Sequence, residues 1–311
     1  DTDCVILSKM YYAEKSIASK IKLLQNSISD QIEDVSLDLE EYQRENNIIL
    51  HESQVSAIKS AINEGFVVIT GGPGTGKTTI IKAILKIFNK RHKNVTLFAP
   101  TGRAAKRMEE QTGESAKTIH RGLEVNFSTG RLNFSRNENN PLETDVLIVD
   151  EVSMLDIKLA WSLLKAISVG TRVIFVGDKD QLPSVGAGNV LSDIITSGEV
   201  TVCELKQIFR QSCDSKIVIN AHKINDGEMP NLSEKSSDFF YSAESDPQKV
   251  IDLIVQLVCR RIPNYDKNIT SRDIQVISPM KTGVCGVNNI NSALQQALNP
   301  PAPNKKEKEI N

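Results

Sequence analysis

The chain has 311 residues, 40% of them hydrophobic and 24% charged, with a formal net charge of −2. That is an ordinary globular composition with length for about two domains, and its charge excludes a protein drawn to nucleic acid by overall electrostatics, so any such binding needs a local groove. No apolar run approaches the roughly 18 residues of a membrane span, and the opening Asp1-Thr2-Asp3-Cys4 lacks a signal-peptide pattern, so a cytoplasmic protein is expected.

In chain order, Met10, Ala13, Ile17, Ile21 and Leu24 recur at three- and four-residue steps, which predicts a packing helix from about Lys9 to Leu24. From Leu50 to about Lys206 short β-branched runs alternate with helix-like segments. The runs are Phe66 to Thr70, Val95 to Phe98, Val146 to Val149, Val173 to Val176 and Val200 to Cys203. Fully apolar strands of this kind belong to parallel sheets covered on both faces, so the predicted class is α/β. The first run leads into Gly71-Gly72-Pro73-Gly74-Thr75-Gly76-Lys77-Thr78, with a helix-like stretch starting near Thr79. This matches G-x-x-x-x-G-K-[ST] in the strand-loop-helix setting that gives the motif its meaning, a phosphate-binding P-loop. Glycines let the backbone aim successive N–H groups at phosphate oxygens, and the helix N-terminus adds its positive dipole end. Gly72, Pro73, Gly74, Thr75, Gly76, Lys77, Thr78 and Thr79 are therefore the expected nucleotide-binding segment. Lys77 would reach the β- and γ-phosphates, and the Thr78 hydroxyl would ligate Mg²⁺. A RecA-like P-loop NTPase domain with a parallel sheet, binding a nucleoside triphosphate with Mg²⁺, is the resulting expectation.

Val146-Leu147-Ile148-Val149-Asp150-Glu151 places two acids at the C-terminal end of a buried strand, where ligands sit in open α/β sheets. Asp150 would hold the Mg²⁺ shell and Glu151 would orient and deprotonate the attacking water. Gln181, in the loop after the next strand, is an amide able to sense the γ-phosphate. Between Leu123 and Phe134, alternating apolar residues on either side of Ser128-Thr129-Gly130 read as a β-hairpin that must lean on the domain. Beyond Gln207 come helix-like stretches around Ile217 to Asn225 and Val250 to Val258, one further strand from Ile274 to Ile277, and a helix-like run to Leu298. The charged end from Asn304 reads as frayed. Five cysteines (Cys4, Cys203, Cys213, Cys259 and Cys285) form neither a C-x-x-C pair nor a metal-ligand spacing, and read as reduced and mostly core. The expected division is an N-terminal helical segment 1–48, a first ATPase domain 49–206 with a hairpin insertion at about 123–135, and a partial second domain 207–311.

Taken in order, the P-loop, Ala99 to Arg107, Thr118-Ile119-His120-Arg121, Asp150 to Met154, Gly177 to Pro183 and Ile208-Phe209-Arg210-Gln211 resemble helicase motifs I, Ia, Ib, II, III and IV. Order and wording resemble the RecD-like branch of superfamily 1 DNA helicases, the group with the exonuclease V alpha subunit and its stand-alone relatives. The resemblance runs from about Tyr11 to Pro300, including Ile277 to Gly283 and Asn291 to Gln295. It implies ATP-driven 5′-to-3′ movement along single-stranded DNA, in repair and recombination, with duplex junctions as partners and either no other protein or the subunits of a recombination nuclease. It also implies that Gln54 reads the adenine, that Arg210 reaches the γ-phosphate from the second domain, and that Pro100, Thr101, Gly102, Arg103, His120 and Arg121 grip the DNA backbone. Catalytic roles would fall to Lys77, Asp150, Glu151, Gln181 and Arg210, and the metal to Thr78 and Asp150. The hairpin resembles the family's strand-splitting insertion, with a decorative surface hairpin as the alternative. No stretch of interleaved basic and aromatic residues stands out as a base-stacking platform. Motifs V and VI do not occur before Asn311, which leads to the expectation of a piece of a longer motor with an incomplete second RecA-like domain. An AAA-type ATPase and a non-catalytic nucleotide-binding subunit of a nuclease complex remain as alternatives. Gln181 and the Pro100-to-Arg103 segment argue against the first of these, and DNA-stimulated ATP turnover would exclude the second.

Overall fold

The computed structural model describes residues 5–28, 30, 32, 34–126, 133–207, 215–232 and 238–300. They fall into two compact units, residues 1–231 and 232–311.

The first unit opens with helices α1 (Ser8–Gln25), α2 (Ser36–Asn46) and α3 (Glu52–Asn63). Strand β1 (Phe66–Gly71) and helix α4 (Lys77–Lys90) follow, then β2 (Val95–Ala99), α5 (Gly102–Thr112), β3 (Ala116–Thr118) and the short α6 (Ile119–Gly122). Strands β4 (Val125–Asn126) and β5 (Asn133–Phe134) pair antiparallel as the root of the expected hairpin, whose tip at 127–132 lies outside the described residues. Next come β6 (Val146–Val149), α7 (Ile157–Lys165), β7 (Arg172–Gly177), α8 (Val190–Ser197), β8 (Thr201–Leu205) and α9 (Lys216–Asn225). Contacts group α9 with this unit, which therefore runs past residue 206, the expected end of the first ATPase domain.

Six strands form one sheet in the order β3-β2-β6-β7-β1-β8, and every neighbouring pair is parallel. The central strands β1, β6 and β7 are buried at every position, which is why they are apolar without alternation. Successive side chains nevertheless face opposite sides. Phe66, Val68, Val149 and Phe175 pack with Ala13, Ile17, Ile21 and Leu24 of α1 and with Leu159 and Leu163 of α7. Val67, Ile69, Ile148 and Ile174 face Ala57, Ile58, Ala61 and Ile62 of α3 and Ile80, Ile84 and Phe88 of α4. With roughly 1.5–3 kcal/mol for each buried large apolar side chain, the stripe of α1 is a substantial part of one face of the core. Lys20 ties the same helix down by donating to the Ile167 carbonyl at 2.6 Å.

The second unit contains α10 (Pro247–Gln256), a π-type turn at Leu257–Arg261, α11 (Ile262–Tyr265) and α12 (Val287–Leu298). Ile251, Val258 and Ile290 are its buried apolar residues. The expected strand from Ile274 to Ile277 does not form, and Ile277 is 84% exposed. A strand exists through ladder bonds to a neighbour, and the described residues of this unit supply no strand for it to pair with. Three of the expected core thiols also differ. Cys203, Cys259 and Cys285 are free and half-buried rather than enclosed, while Cys4 and Cys213 lie outside the described residues. Among the described residues, no helix is long and apolar enough to cross a membrane.

Candidate nucleotide site

The loop between β1 and α4 carries the P-loop, and its backbone needs its glycines. Gly76, at the N-cap of α4, has φ of 85°, in the left-handed region that residues with a Cβ rarely adopt. At Gly71 a Cβ would lie 2.8 Å from both the Leu205 carbonyl oxygen and the Thr75 hydroxyl, so the chain passes too close there for a side chain. The Thr75 hydroxyl donates to the Gly72 carbonyl at 2.8 Å, closing the loop on itself. Lys77 donates through Nζ to the carbonyls of Gly71 at 2.6 Å and Gly72 at 3.1 Å. Its ammonium therefore rests on the loop that would hold the phosphates. The Thr78 hydroxyl donates to Oε1 of Gln111 on α5 at 3.2 Å.

One cavity of about 640 Å³ collects the P-loop from Gly72 to Thr79 with Gln54, Asp150, Glu151 and Gln181. Gln54 is 3% exposed and has structural duties here. Its Oε1 accepts from the His51 N–H at 3.0 Å in a capping box that starts α3, and its Nε2 donates to the Thr75 carbonyl at 3.2 Å. It thus braces the P-loop from the side. Asp150 follows β6, and its Oδ1 accepts from the Glu151 N–H at 2.9 Å. Burial pushes its carboxyl up to about 6, and the Glu151 charge adds to this; that hydrogen bond and the cations Lys77 and Arg107 oppose it. Glu151 has φ of 56°, a left-handed conformation costly for a residue with a side chain and often found at functional sites. Gln181 accepts from the Ser153 hydroxyl at 3.5 Å, a long contact that links the loop after β7 to the turn after β6.

The hard oxygen donors of Thr78 and Asp150 suit Mg²⁺, which takes one or two protein groups plus phosphate oxygens and water rather than an all-protein cage. Among the described residues, no group of three or more His, Cys, Asp or Glu side chains is placed to hold a metal by itself. A buried carboxyl whose ionised form is disfavoured by burial is the kind of group a bound cation would stabilise.

Thr101 caps α5, accepting from the Ala104 N–H at 3.2 Å, with Pro100 before it and exposed Gly102 and Arg103 after it. Thr118 caps α6 in the same way for Arg121, and the His120 ring lies 5.9 Å from that of Phe134. These segments follow β2 and β3, at the strand ends shared with the P-loop, and none of the six predicted DNA-contacting residues lines the nucleotide cavity. Arg210 lies outside the described residues. The cavity also has walls that motif reading did not assign: Ile48, Ile49 and Leu50 before α3, and Ala104, Arg107, Met108 and Gln111 of α5. For the α5 group the available signal was helical spacing, since residues 104, 107, 108 and 111 recur at three- and four-residue steps.

A P-loop after β1 with an acidic pair at the end of β6, a parallel strand separated from β1 by β7, defines a P-loop nucleoside triphosphatase fold. A family model described as an AAA domain matches residues 54–187. The ATP-dependent RecD2 DNA helicase of Deinococcus radiodurans is 37% identical over 251 residues, which cover 81% of this chain and 33% of that protein. The RecBCD enzyme subunit RecD of Mycolicibacterium smegmatis is 38% identical over 183 residues, 51% of this chain and 33% of that one. The RecD subunit of Haemophilus influenzae is 37% identical over 165 residues, 45% of this chain and 26% of that one. Among solved structures, the Pif1 helicase from Candida albicans aligns with a TM-score of 0.46 and 25% identity, covering 70% of this chain and 55% of that one. The chain belongs to the RecD-like helicase family. It spans about a third of the length of the first two of these relatives.

Proposed function

We propose that the chain carries the ATP-binding and hydrolysing core of a DNA helicase that moves 5′ to 3′ along single-stranded DNA, in repair or recombination. The observation that supports this reading best is the convergence of Lys77, Thr78, Asp150, Glu151 and Gln181, drawn from three separate chain segments, on one cavity beside the P-loop. In this reading the P-loop N–H groups take the phosphates, and Lys77 leaves the Gly71 and Gly72 carbonyls to meet the β- and γ-phosphates. Thr78 and Asp150 hold Mg²⁺, which supplies charge neutralisation on the phosphates when bound. Glu151 orients the attacking water and takes its proton. Gln181 follows the terminal phosphate, Gln54 borders the adenine, and Arg210 adds positive charge as the phosphoryl group transfers. The segments 100–103 and 120–121 hold DNA through hydroxyl, backbone N–H and cationic contacts that do not read sequence. A partial second RecA-like lobe from about residue 207, and partnership with subunits of a recombination nuclease, belong to the same proposal. A cytoplasmic location does as well.

The test has two parts. The 311-residue chain should bind a fluorescent ATP analogue with Mg²⁺, and Lys77→Ala should weaken that binding at least tenfold. A longer protein carrying this chain, at the length of its relatives, should hydrolyse ATP faster when single-stranded DNA is added. Nucleotide binding without DNA stimulation in the longer protein would favour an AAA-type ATPase or a non-catalytic subunit instead.

A further inference from the structure

The fold assembles the basic-aromatic surface that no single stretch of the sequence displays. A cleft of about 520 Å³ is lined from α1 by Lys9, from α6 by His120, from β5 by Phe134 and from α7 by Lys158, Trp161 and Lys165. It shares no lining residue with the nucleotide cavity. Lys158 and Lys165 stand three residues before and four after Trp161, which puts all three on one face of α7. The Lys165 ammonium lies 4.3 Å from the Trp161 ring centroid, and His120 and Phe134 form a tilted ring pair.

The charges here are largely uncommitted. Lys9 and Lys158 have no carboxylate partner among the described residues. Lys165 meets Glu138 only at 3.7 Å, a long contact between a half-buried lysine and an exposed carboxylate, of little strength. The carboxylate that lines the cleft, Asp156, is occupied as the cap of α7, accepting from the Leu159 N–H at 2.8 Å. Arg136 adds little, since its guanidinium is tied to Glu124 at 2.8 Å and Glu143 at 3.4 Å. The indole Nε1 of Trp161 is buried without a hydrogen-bond partner, although a buried indole N–H normally finds one.

Three lysines around three rings are the elements by which proteins hold a single strand, cations for the backbone and rings for bases. We propose that this cleft binds a segment of single-stranded DNA, with phosphates at Lys9, Lys158 and Lys165 and a base among the rings of His120, Phe134 and Trp161. The proposal rests on the reading of the chain as a DNA motor and extends its track past residues 100–103 and 120–121 to the root of the hairpin.

Trp161 is the single tryptophan of the chain, so its emission reports on this cleft alone. A fluorescein-labelled oligothymidylate should bind the 311-residue chain by anisotropy, and unlabelled oligothymidylate should change the tryptophan emission along the same isotherm. Lys9→Glu with Lys158→Glu should weaken binding about tenfold at moderate salt and flatten the log–log salt slope by roughly 0.7 per lost phosphate contact. Both residues are exposed, and binding of a fluorescent ATP analogue should be unchanged and shows that the variant is folded. Binding by anisotropy with unmoved tryptophan emission and an unaffected double variant overturns the cleft and leaves the motor reading intact. No binding even at low salt overturns both the cleft and the DNA track of this chain. An equal emission change with polyglutamate overturns the assignment to nucleic acid.

Discussion

At the scale of single residues, Asp150 and Glu151 are neighbours in sequence with unlike surroundings. Glu151 in its left-handed conformation is assigned to the water, whereas Asp150 is held back in the wall at the end of β6. Glu151→Gln keeps the shape and removes the base. Turnover in a DNA-stimulated assay should fall by about 10² to 10⁴, the usual worth of a general base, with ATP-analogue affinity within a few-fold of the parent. An equal loss of nucleotide binding in Glu151→Gln and Lys77→Ala would refute this division of roles. Asp150 makes a pH prediction. Its folded-state value, about 6, lies above the ordinary aspartate value of about 3.9, so in metal-free protein its contribution to stability is present below about 3.9 and is lost as pH rises through about 6. Urea melts of parent and Asp150→Asn between these values should therefore diverge, the substituted protein gaining relative stability toward pH 6. Parallel curves would show that Asp150 titrates normally.

At the scale of elements, the hairpin and α1 are the informative pieces. The two short strands of the hairpin root pair Val125 with Phe134 and Asn126 with Asn133. So short a ladder is marginal by itself and must lean on the domain. If residues 127–132 act as a duplex-splitting wedge, replacing them by a short Gly-Ser turn in a longer, active protein should leave ATP turnover on single strands within about twofold and reduce unwinding of a tailed duplex by at least tenfold. A parallel fall in both activities, followed by phosphate release and strand separation, would discard the wedge. The expectation for α1 rests on its 3.6-residue stripe, of which Ala13, Ile17, Ile21 and Leu24 are buried while Met10, at its start, packs only partly buried against the same core. The same kind of reading misplaced Ile274 to Ile277 because β-branched composition describes a residue that fits a sheet and says nothing about whether a sheet edge is there to receive it.

At the scale of the whole molecule, Arg172 ties separate segments together from inside the first unit. It is 1% exposed at the start of β7, donating through Nε to the Ile62 carbonyl at 2.7 Å and through its terminal nitrogen to the Asp30 carboxylate at 2.9 Å. Lys93 also bonds Asp30, and together with Arg172 it holds the Asp30 carboxyl down to about 2 against a smaller opposing effect of burial. The sign is opposite to that of Asp150: the contribution of Asp30 is present above about 3.9 and lost as pH falls through about 2. Arg172→Ala should cost about 3 kcal/mol in urea unfolding at neutral pH, because a buried carbonyl loses its donor and a cavity replaces the side chain. A change below about 1 kcal/mol would mean that water or a neighbouring chain segment replaces the arginine.

What the sequence determined by itself was local and periodic. The five strand runs, the P-loop and the acidic pair all follow from backbone geometry and burial, which leave their pattern in consecutive residues. The tertiary structure alone decided which distant residues share a wall. It set the strand order and put Gln54 under the P-loop carbonyl of Thr75 as a brace. It brought Arg107 and Gln111 to the nucleotide cavity, and gathered Lys9, Phe134 and Trp161 around one cleft. Apart from the three- and four-residue steps within α5 and α7, these groupings leave no mark in the sequence, because their separations along the chain are set by crossover helices and loops. Their spacing in the folded protein is set by the order and register of a parallel sheet.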